Sequence, residues 1–514
     1  MQKNLQAAVE AELISFLVES VKKAIYDGDL DLEKVPEVSV EVPREKGHGD
    51  YATNLAMVLA GQAGMNPRQI AEIIVENFES EIVEEISIAG PGFINFKLKN
   101  AWLWNNLKLI TKRAEDYGRI DAGKGKRVQV EFVSANPTGP LHVGHSRGAV
   151  VGDVTASIME AAGFDVEREY YINDAGNQMD ILAQSTLLRY RELLGEEIKM
   201  PEDVYAGDYV KEIAQDLYEE HGSDLMEKEE SARLEICREY AYQEMLKNIE
   251  ADLERFGIEF DSWFSERTLH PDKIQHAIDL LRDKGYIFEE EDALWFKSTE
   301  FGDDKDRVII KSDGSPTYMA ADMAYHLDKL ERGFDKLINV WGADHHGYIP
   351  RMKAVIEAFG YDKDTLEVIV VQMVTLLRNG KKMPMSKRAG SFVTMNEVNQ
   401  EVGKDAARYY YVMRSTDSHL DFDLELAKEE SSNNPVYYVQ YAHARIHSIL
   451  DNAELKADAE NLDLLTAEAE IELMKMLAKF PEEIKMIAES RQPHHLTTYA
   501  YDLATAFHSF YNNC

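Results

Sequence analysis

The sequence predicts a multidomain α/β protein: a parallel α/β domain interrupted by a helical insertion, an α+β domain before it and an all-helical domain after it. Three observations lead there. Strand, loop, helix and strand follow one another from Arg127, the order that opens a doubly wound parallel sheet. A long acidic stretch without strand alternation then interrupts the pattern, and from Ser431 onward only helical periodicity remains. The expected boundaries are 1–110, 125–430 with the insertion at about 182–265, and 431–514.

Taken in order, "LQAAVEAELISFLVESVKKAI" has helical periodicity and "VSVEVP" reads as a strand. A helical stretch runs from Asn54 through "IAEIIVENF", and the strand-like "FINFKLK" follows the turn "AGPG". The helix "AWLWNNLKLITKRAEDYG" leads into a basic, Gly-containing linker, "DAGKGKR". "VQVEFVS" is a short apolar strand ended by "ANPTGP"; a helix begins near His142 and runs through "AVVGDVTASIMEAAG"; "FDVEREYYIND" is the next strand. Beyond the insertion, "KLINVWGADHHGY" supplies one strand and "LEVIVVQMVTLL" another, followed by the loop "RNGKKMPMSKRAGSF". The chain ends at "FHSFYNNC" inside a helical pattern without a cap, so a longer helical domain is expected.

With 514 residues, 45% hydrophobic and 29% charged, the chain can build several cores and is not a disordered sequence. Its two cysteines, Cys237 and Cys514, exclude a disulfide framework and a Cys-based zinc site, which fits a cytoplasmic location. The N-terminus is amphipathic and acidic, unlike a signal peptide, and no apolar run is long enough to cross a membrane, so no membrane partner is expected. A formal net charge of −37 argues against indiscriminate nucleic-acid binding and leaves room for a local basic track.

The chemistry concentrates in two stretches. In "HVGH", His142 and His145 stand three apart at a helix start, where they share a face and the first-turn N–H groups favour an anion. Gly144 between them leaves bare backbone for close approach of a phosphate or base. A zinc site would need further ligands, which Asp344 and His346 of "DHH" could supply; two core histidines are the plain alternative. The second stretch, "KKMPMSKRAG", carries Lys381, Lys382, Lys387 and Arg388 between Gly380 and Gly390. It is a solvated loop, or a cationic arm that closes on the β- and γ-phosphates.

"HVGH" resembles the HIGH motif of class I aminoacyl-tRNA synthetases, and "PMSKR" resembles their KMSKS loop. "VEFVSANPTGPLHVGHSRGAVVGD", "YYINDAGNQM", "TYMAADMAYH", "VWGADHHGYIPRMKA" and "YVQYAHARI" together resemble arginyl-tRNA synthetases over nearly the whole chain. The resemblance implies a Rossmann-type class I synthetase catalytic domain with a connective insertion, an N-terminal domain for the tRNA D-loop and a helical anticodon-binding domain. The implied activity is an arginine–tRNA ligase. It works as a monomer on tRNA(Arg), L-arginine and ATP with Mg²⁺, without protein-bound zinc.

The implied catalytic residues are His142, His145 and Lys387; ATP would meet these together with Gly144, Gly342, Asp344, Met385 and Ser386. Ser134, Asn136, His145 and Gln372 are implied to hold the α-amino and carboxylate groups of arginine, with Glu131 facing the pocket or serving the strand. A guanidinium asks for planar acceptors. Tyr318 and Asp322, four apart, would share a helical face and supply them; a core Tyr and a surface Asp are the alternative. For tRNA, Phe93 and Asn95 match the D-loop positions, a stacking ring and a base-reading amide, unless Phe93 is interior and Asn95 caps a turn. Tyr441, His443 and Arg445 are the anticodon-side candidates.

Many members of that family lack the KMSKS lysine and carry a lysine three residues before the first HIGH histidine. Here that position is Gly139, while Lys387 is present and Pro384 replaces the first lysine, for which Lys381 or Lys382 would substitute. The competing readings are a metal-dependent hydrolase using His142, His145, Asp344 and His346, and a non-catalytic tRNA-binding relative; the intact catalytic pattern disfavours the latter.

Overall fold

Buried apolar runs such as those starting at Arg127 and Lys336 suit strands covered on both faces, and they form one parallel sheet. The computed structural model describes residues 5–43, 46–383, 393–453 and 460–514. The sheet is ordered Leu366–Val371, Lys336–Gly342, Arg127–Glu131, Asp165–Ile172, Ser262–Ser265, every pair parallel. The chain enters at the central Arg127–Glu131, builds two strands to one side, then crosses to the other. The direction of winding therefore reverses between Arg127–Glu131 and Lys336–Gly342, where α/β sheets leave a crevice at the strand ends.

The helix Val143–Ala161 follows the first strand, as its periodicity predicts. Gly152 is what lets it lie so close: a Cβ there would come 2.3 Å from the Phe132 ring. Arg147, two residues after the second histidine of "HVGH", is 1% exposed. Its guanidinium donates to four backbone carbonyls, those of Gln372 (3.0 Å), Ser418 (2.7 Å), Ser415 (2.9 Å) and Arg414 (3.4 Å).

That staple explains one difference from the sequence reading. "LEVIVVQMVTLL" is two strands, Leu366–Val371 and Val374–Arg378. At Gln372 the amide donates to the Thr416 carbonyl (2.8 Å) and the carbonyl accepts from Arg147, so the ladder is abandoned there. Val374–Arg378 joins a separate sheet with Leu420–Asp423 and Lys381–Lys382.

Other boundaries also move. The insertion comprises the helices Asn177–Leu193, Asp208–His221 and Glu230–Arg255, and it ends before 265 because Ser262–Ser265 pairs with Asp165–Ile172 in the main sheet. Ile287–Glu290, Ala293–Phe296 and Arg307–Ile310 form an antiparallel sheet that the sequence reading did not anticipate. "VSVEVP" makes a single bridge, Glu41 to Ala52, and the Thr53 hydroxyl donates to the Ser39 carbonyl (2.7 Å).

The chain divides into two compact units, 121–441 with 487–498, and 1–120 with 442–486 and 499–514. The two outer segments, expected as separate domains, thus belong to one unit. Its sheet, Tyr51–Thr53, Phe93–Leu98 and Val83–Ala89, is antiparallel and covered by helices over a core that includes Leu13, Leu17, Val21 and Phe96. In the same unit Leu103 packs with Met474 and Ala478, and the Tyr117 hydroxyl donates to the Leu477 carbonyl (3.0 Å).

Candidate active site

A cavity of about 430 Å³ opens at the carboxyl ends of Arg127–Glu131, Asp165–Ile172 and Lys336–Gly342, at the reversal point of the sheet. The first strand reaches it through two non-glycine residues in the left-handed region, Val133 (φ +66°) and Ser134 (φ +41°). For a β-branched valine this is strained, by about 1–3 kcal/mol. The Tyr171 amide holds the turn by donating to Ser134 Oγ (3.2 Å), and Ser134 Oγ donates to Glu131 Oε1 (3.0 Å).

Beneath the cavity lies a buried chain of hydrogen bonds. Lys329, fully buried, donates to Glu131 Oε2 (2.6 Å) and Asn339 Oδ1 (3.1 Å). The Asn339 amide faces His326 Nε2 (3.1 Å), and His326 Nδ1 faces the Asp322 carbonyl (2.8 Å). Burial, with Lys329 nearby, lowers the His326 pKa to about 3, so the ring is neutral. It then donates from Nδ1 and accepts at Nε2, a tautomer set by its two partners. Both Glu131 oxygens are engaged, which makes this carboxylate a structural bridge with Lys329 as its counter-ion.

Asp322 lines the cavity from the helix Tyr318–Glu331, with Tyr318 one turn earlier on the same side and 73% exposed. Its Oδ2 accepts from the Tyr348 hydroxyl (2.5 Å), and among the described residues it has no ion-pair partner. Desolvation raises its pKa from 3.8 to about 7 against the lowering effect of Tyr348 and Lys329, with Glu131 and Glu266 adding to the rise. Glu266, hydrogen-bonded to Tyr171, is likewise pushed up to about 7 by burial. The cavity thus presents, at Asp322, a carboxyl group poised to lose its proton to solvent when a cation arrives.

The "HVGH" histidines form a reciprocal cap. His142, extended at the N-cap, accepts the Gly144 amide at Nδ1 (3.1 Å); His145 Nδ1 accepts the His142 amide (3.3 Å). The rings stack with centroids 3.9 Å apart. With each Nδ1 accepting, each neutral ring carries its proton on Nε2, a donor suited to phosphate oxygens. The flanks of the basic loop meet this cap: the Val143 amide donates to the Val393 carbonyl (3.1 Å) and the Met395 amide to Leu141 (2.9 Å). Met385, Ser386 and Lys387, with Pro384 and Arg388, lie outside the described residues.

Of the residues expected around arginine, Ser134, Asn136, Tyr318 and Asp322 line the cavity, whereas His145 and Gln372 are not among its lining. The Asn136 amide donates to Gln178 Oε1 (2.6 Å). Gly342 lines the cavity, and a Cβ there would stand 2.6 Å from Asp344 Oδ1; Asp344 and His346 are exposed. Among the described residues no three of His, Cys, Asp and Glu gather as metal ligands.

The tRNA candidates fare unevenly. Asn95 sits mid-strand, paired with Ala52 and Ser87, and is 5% exposed, so it does not cap a turn. Phe93 is half-buried; Tyr441 is 42% exposed and stacks on Tyr437; the Arg445 guanidinium lies over the Tyr511 ring. Sequence reasoning missed Tyr348, Asn339, Lys329 and Arg147. The first two stand within or just after "NVWGADHHGY", and a buried-strand Asn followed by a Tyr at the loop end was the available signal.

Comparison with known proteins supplies the remaining evidence. Residues 107–446 match the family described as tRNA synthetases class I (R), catalytic domain; 3–98 match the arginyl tRNA synthetase N terminal domain; 439–514 match the DALR anticodon binding domain. The arginine–tRNA ligase of Bacillus licheniformis is 53% identical over 504 residues, 96% of this chain and 91% of that protein. The arginine–tRNA ligase of Bacillus subtilis is 52% identical over 512 residues, covering 98% and 92%. The Thermus thermophilus arginyl-tRNA synthetase structure shares the fold, with a TM-score of 0.72 at 22% identity, covering 98% and 92% of the two chains.

Proposed function

Because this chain belongs to the class I arginyl-tRNA synthetases, we propose that the cavity is its arginine pocket and the "HVGH" cap its ATP phosphate site. The reaction is arginine–tRNA ligation: the arginine carboxylate attacks the α-phosphorus of ATP to give arginyl-adenylate and pyrophosphate, and the 3′-terminal adenosine of tRNA accepts the arginyl group. By the family resemblance the acceptor is the 2′-OH.

The observation that carries the residue assignment is Asp322: a desolvated carboxylate at the switch-point cavity, held by a phenol and lacking a cation. A guanidinium supplies the charge and two parallel donors. Ser134 and Asn136, on the strained turn, face the amino-acid end. Holding both reactants in line is most of the catalysis required, with His142, His145 and Lys387 neutralising the leaving pyrophosphate. Gly144, Gly342, Asp344, Met385 and Ser386 complete the ATP assignment, and Gln372 and His145 remain proposed arginine contacts.

Mg²⁺ fits as a companion of ATP, since the described residues gather no ligand set of their own; bound on the phosphates it would offset their charge. Residues 3–98 would meet the tRNA D-loop, with Phe93 and Asn95 as the contacts to test, and 439–514 the anticodon, with Tyr441 and Arg445 as candidates at its start. We place the enzyme in the cytoplasm as a monomer; among the described residues no helix is long and apolar enough to cross a membrane.

ATP–pyrophosphate exchange with each amino acid, with and without tRNA, tests this reading. Exchange is expected with arginine alone, and only when tRNA(Arg) is bound. Exchange with lysine or glutamate in place of arginine overturns the pocket assignment, and equal exchange without tRNA overturns the tRNA requirement.

A further inference from the structure

We infer that Tyr348 is a positioning residue of the arginine pocket: its hydroxyl fixes the Asp322 carboxylate in the plane and charge state that a guanidinium requires. The inference rests on the arginine-pocket reading of the cavity.

Tyr348 closes the short helix Ala343–Tyr348 that follows the strand Lys336–Gly342, and the helix Ile349–Ala358 starts immediately after it with Pro350 in its first turn. The phenol is therefore anchored from both sides in sequence. Its ring lies 6.0 Å from that of Trp341, and the Arg351 guanidinium lies 5.4 Å from its centre on the other element. From this seat the hydroxyl reaches Asp322 Oδ2 at 2.5 Å and Met319 Sδ at 3.5 Å, both on the helix Tyr318–Glu331. The single phenolic proton goes to the carboxylate, the far stronger acceptor of the two.

This contact has two consequences. A carboxylate with one oxygen held by a rigid donor cannot rotate freely, and a planar fork of N–H groups needs a fixed plane to meet. The donor also favours the ionised form in surroundings that otherwise oppose it. The groups facing Asp322 are Glu131 and Glu266, which disfavour its charge, and Lys329 and Tyr348, which favour it; Tyr171 feels the same carboxylates. Arg307 and Arg351 act on Tyr348 itself. Lys329 is committed to Glu131 and Asn339, so among the described residues Tyr348 is the side chain that donates a hydrogen bond to the Asp322 carboxylate, while His326 bonds the Asp322 backbone carbonyl.

The test is calorimetric titration of arginine into the full chain with tRNA(Arg) bound, from pH 6 to 9, in two buffers of different ionisation enthalpy so that released protons are counted. Tyr348→Phe keeps the ring and removes the hydroxyl, and an unfolding midpoint close to that of the unaltered chain verifies its fold. The expected result is a proton-release midpoint about one pH unit higher and a Kd for arginine about fivefold weaker at pH 7, with ATP affinity unchanged. A midpoint that stays in place, or an ATP affinity that falls by the same factor, overturns the inference. Asp322→Asn separates the two levels of argument. If it leaves arginine binding intact, the pocket reading falls and this inference with it. If it abolishes binding while Tyr348→Phe leaves the midpoint in place, only the role of Tyr348 falls.

Discussion

Lowering the pH should weaken arginine binding through Asp322. The folded-state pKa is raised from 3.8 to about 7, chiefly by desolvation, and a guanidinium binds the ionised form only. The apparent Kd is then the intrinsic value divided by the ionised fraction, so it is about 1.1 times the plateau at pH 8, about twofold at pH 7 and about elevenfold at pH 6. Binding must release about half a proton at pH 7 and about nine-tenths at pH 6. Calorimetry in two buffers reads both quantities at once. A Kd flat from pH 8 to 6 with no proton released would refute the assignment of Asp322 to the guanidinium. The same shift has the opposite sign for folding. A carboxylate whose folded pKa lies above its unfolded value favours the folded state at low pH, and that contribution is lost between about pH 4 and 7. Bound arginine offsets the loss, so its stabilising effect on the melting temperature should grow across this window.

Lys387→Ala is expected to slow pyrophosphate exchange by about 10²–10³ while arginine affinity stays within threefold, because the lysine acts on the leaving group only. Near-normal exchange would mean that the charge missing at Gly139 is not supplied by the basic loop. Arg147→Met removes the donor to four carbonyls; those of the exposed Arg414 and Ser418 can turn to water, and at about 1–3 kcal/mol for each of the other two the variant should lose about 2 kcal/mol or more in a denaturant melt. A variant as stable as the original chain would show that water or backbone shifts replace the staple.

Local pattern and short-range spacing were enough for much of this protein. The helix from His142, the flanking strands and the helical C-terminal run are dictated by periodicities of 3.6 and 2, which need no knowledge of distant partners. The pairing of Tyr318 with Asp322 is legible for the same reason, since residues four apart on a helix share a face. The reading failed where a contact between remote segments overrode the local preference. "LEVIVVQMVTLL" is mostly apolar, and it breaks at Gln372 through contacts with remote residues, Arg147 more than two hundred positions earlier and Thr416 beyond it. Asn95 is buried mid-strand, which its own side-chain chemistry does not reveal.

The sequence by itself determined which kinds of groups are present and which elements carry them: the capping histidines, the guanidinium-matching carboxylate, the parallel α/β order. Tertiary structure alone decided their electrical state and company. Burial sets Asp322 near pH 7 and leaves His326 neutral, and Lys329 claims Glu131 from a helix nearly two hundred residues away. Desolvation and long-range pairing depend on where the chain returns in space, and no local spacing encodes that.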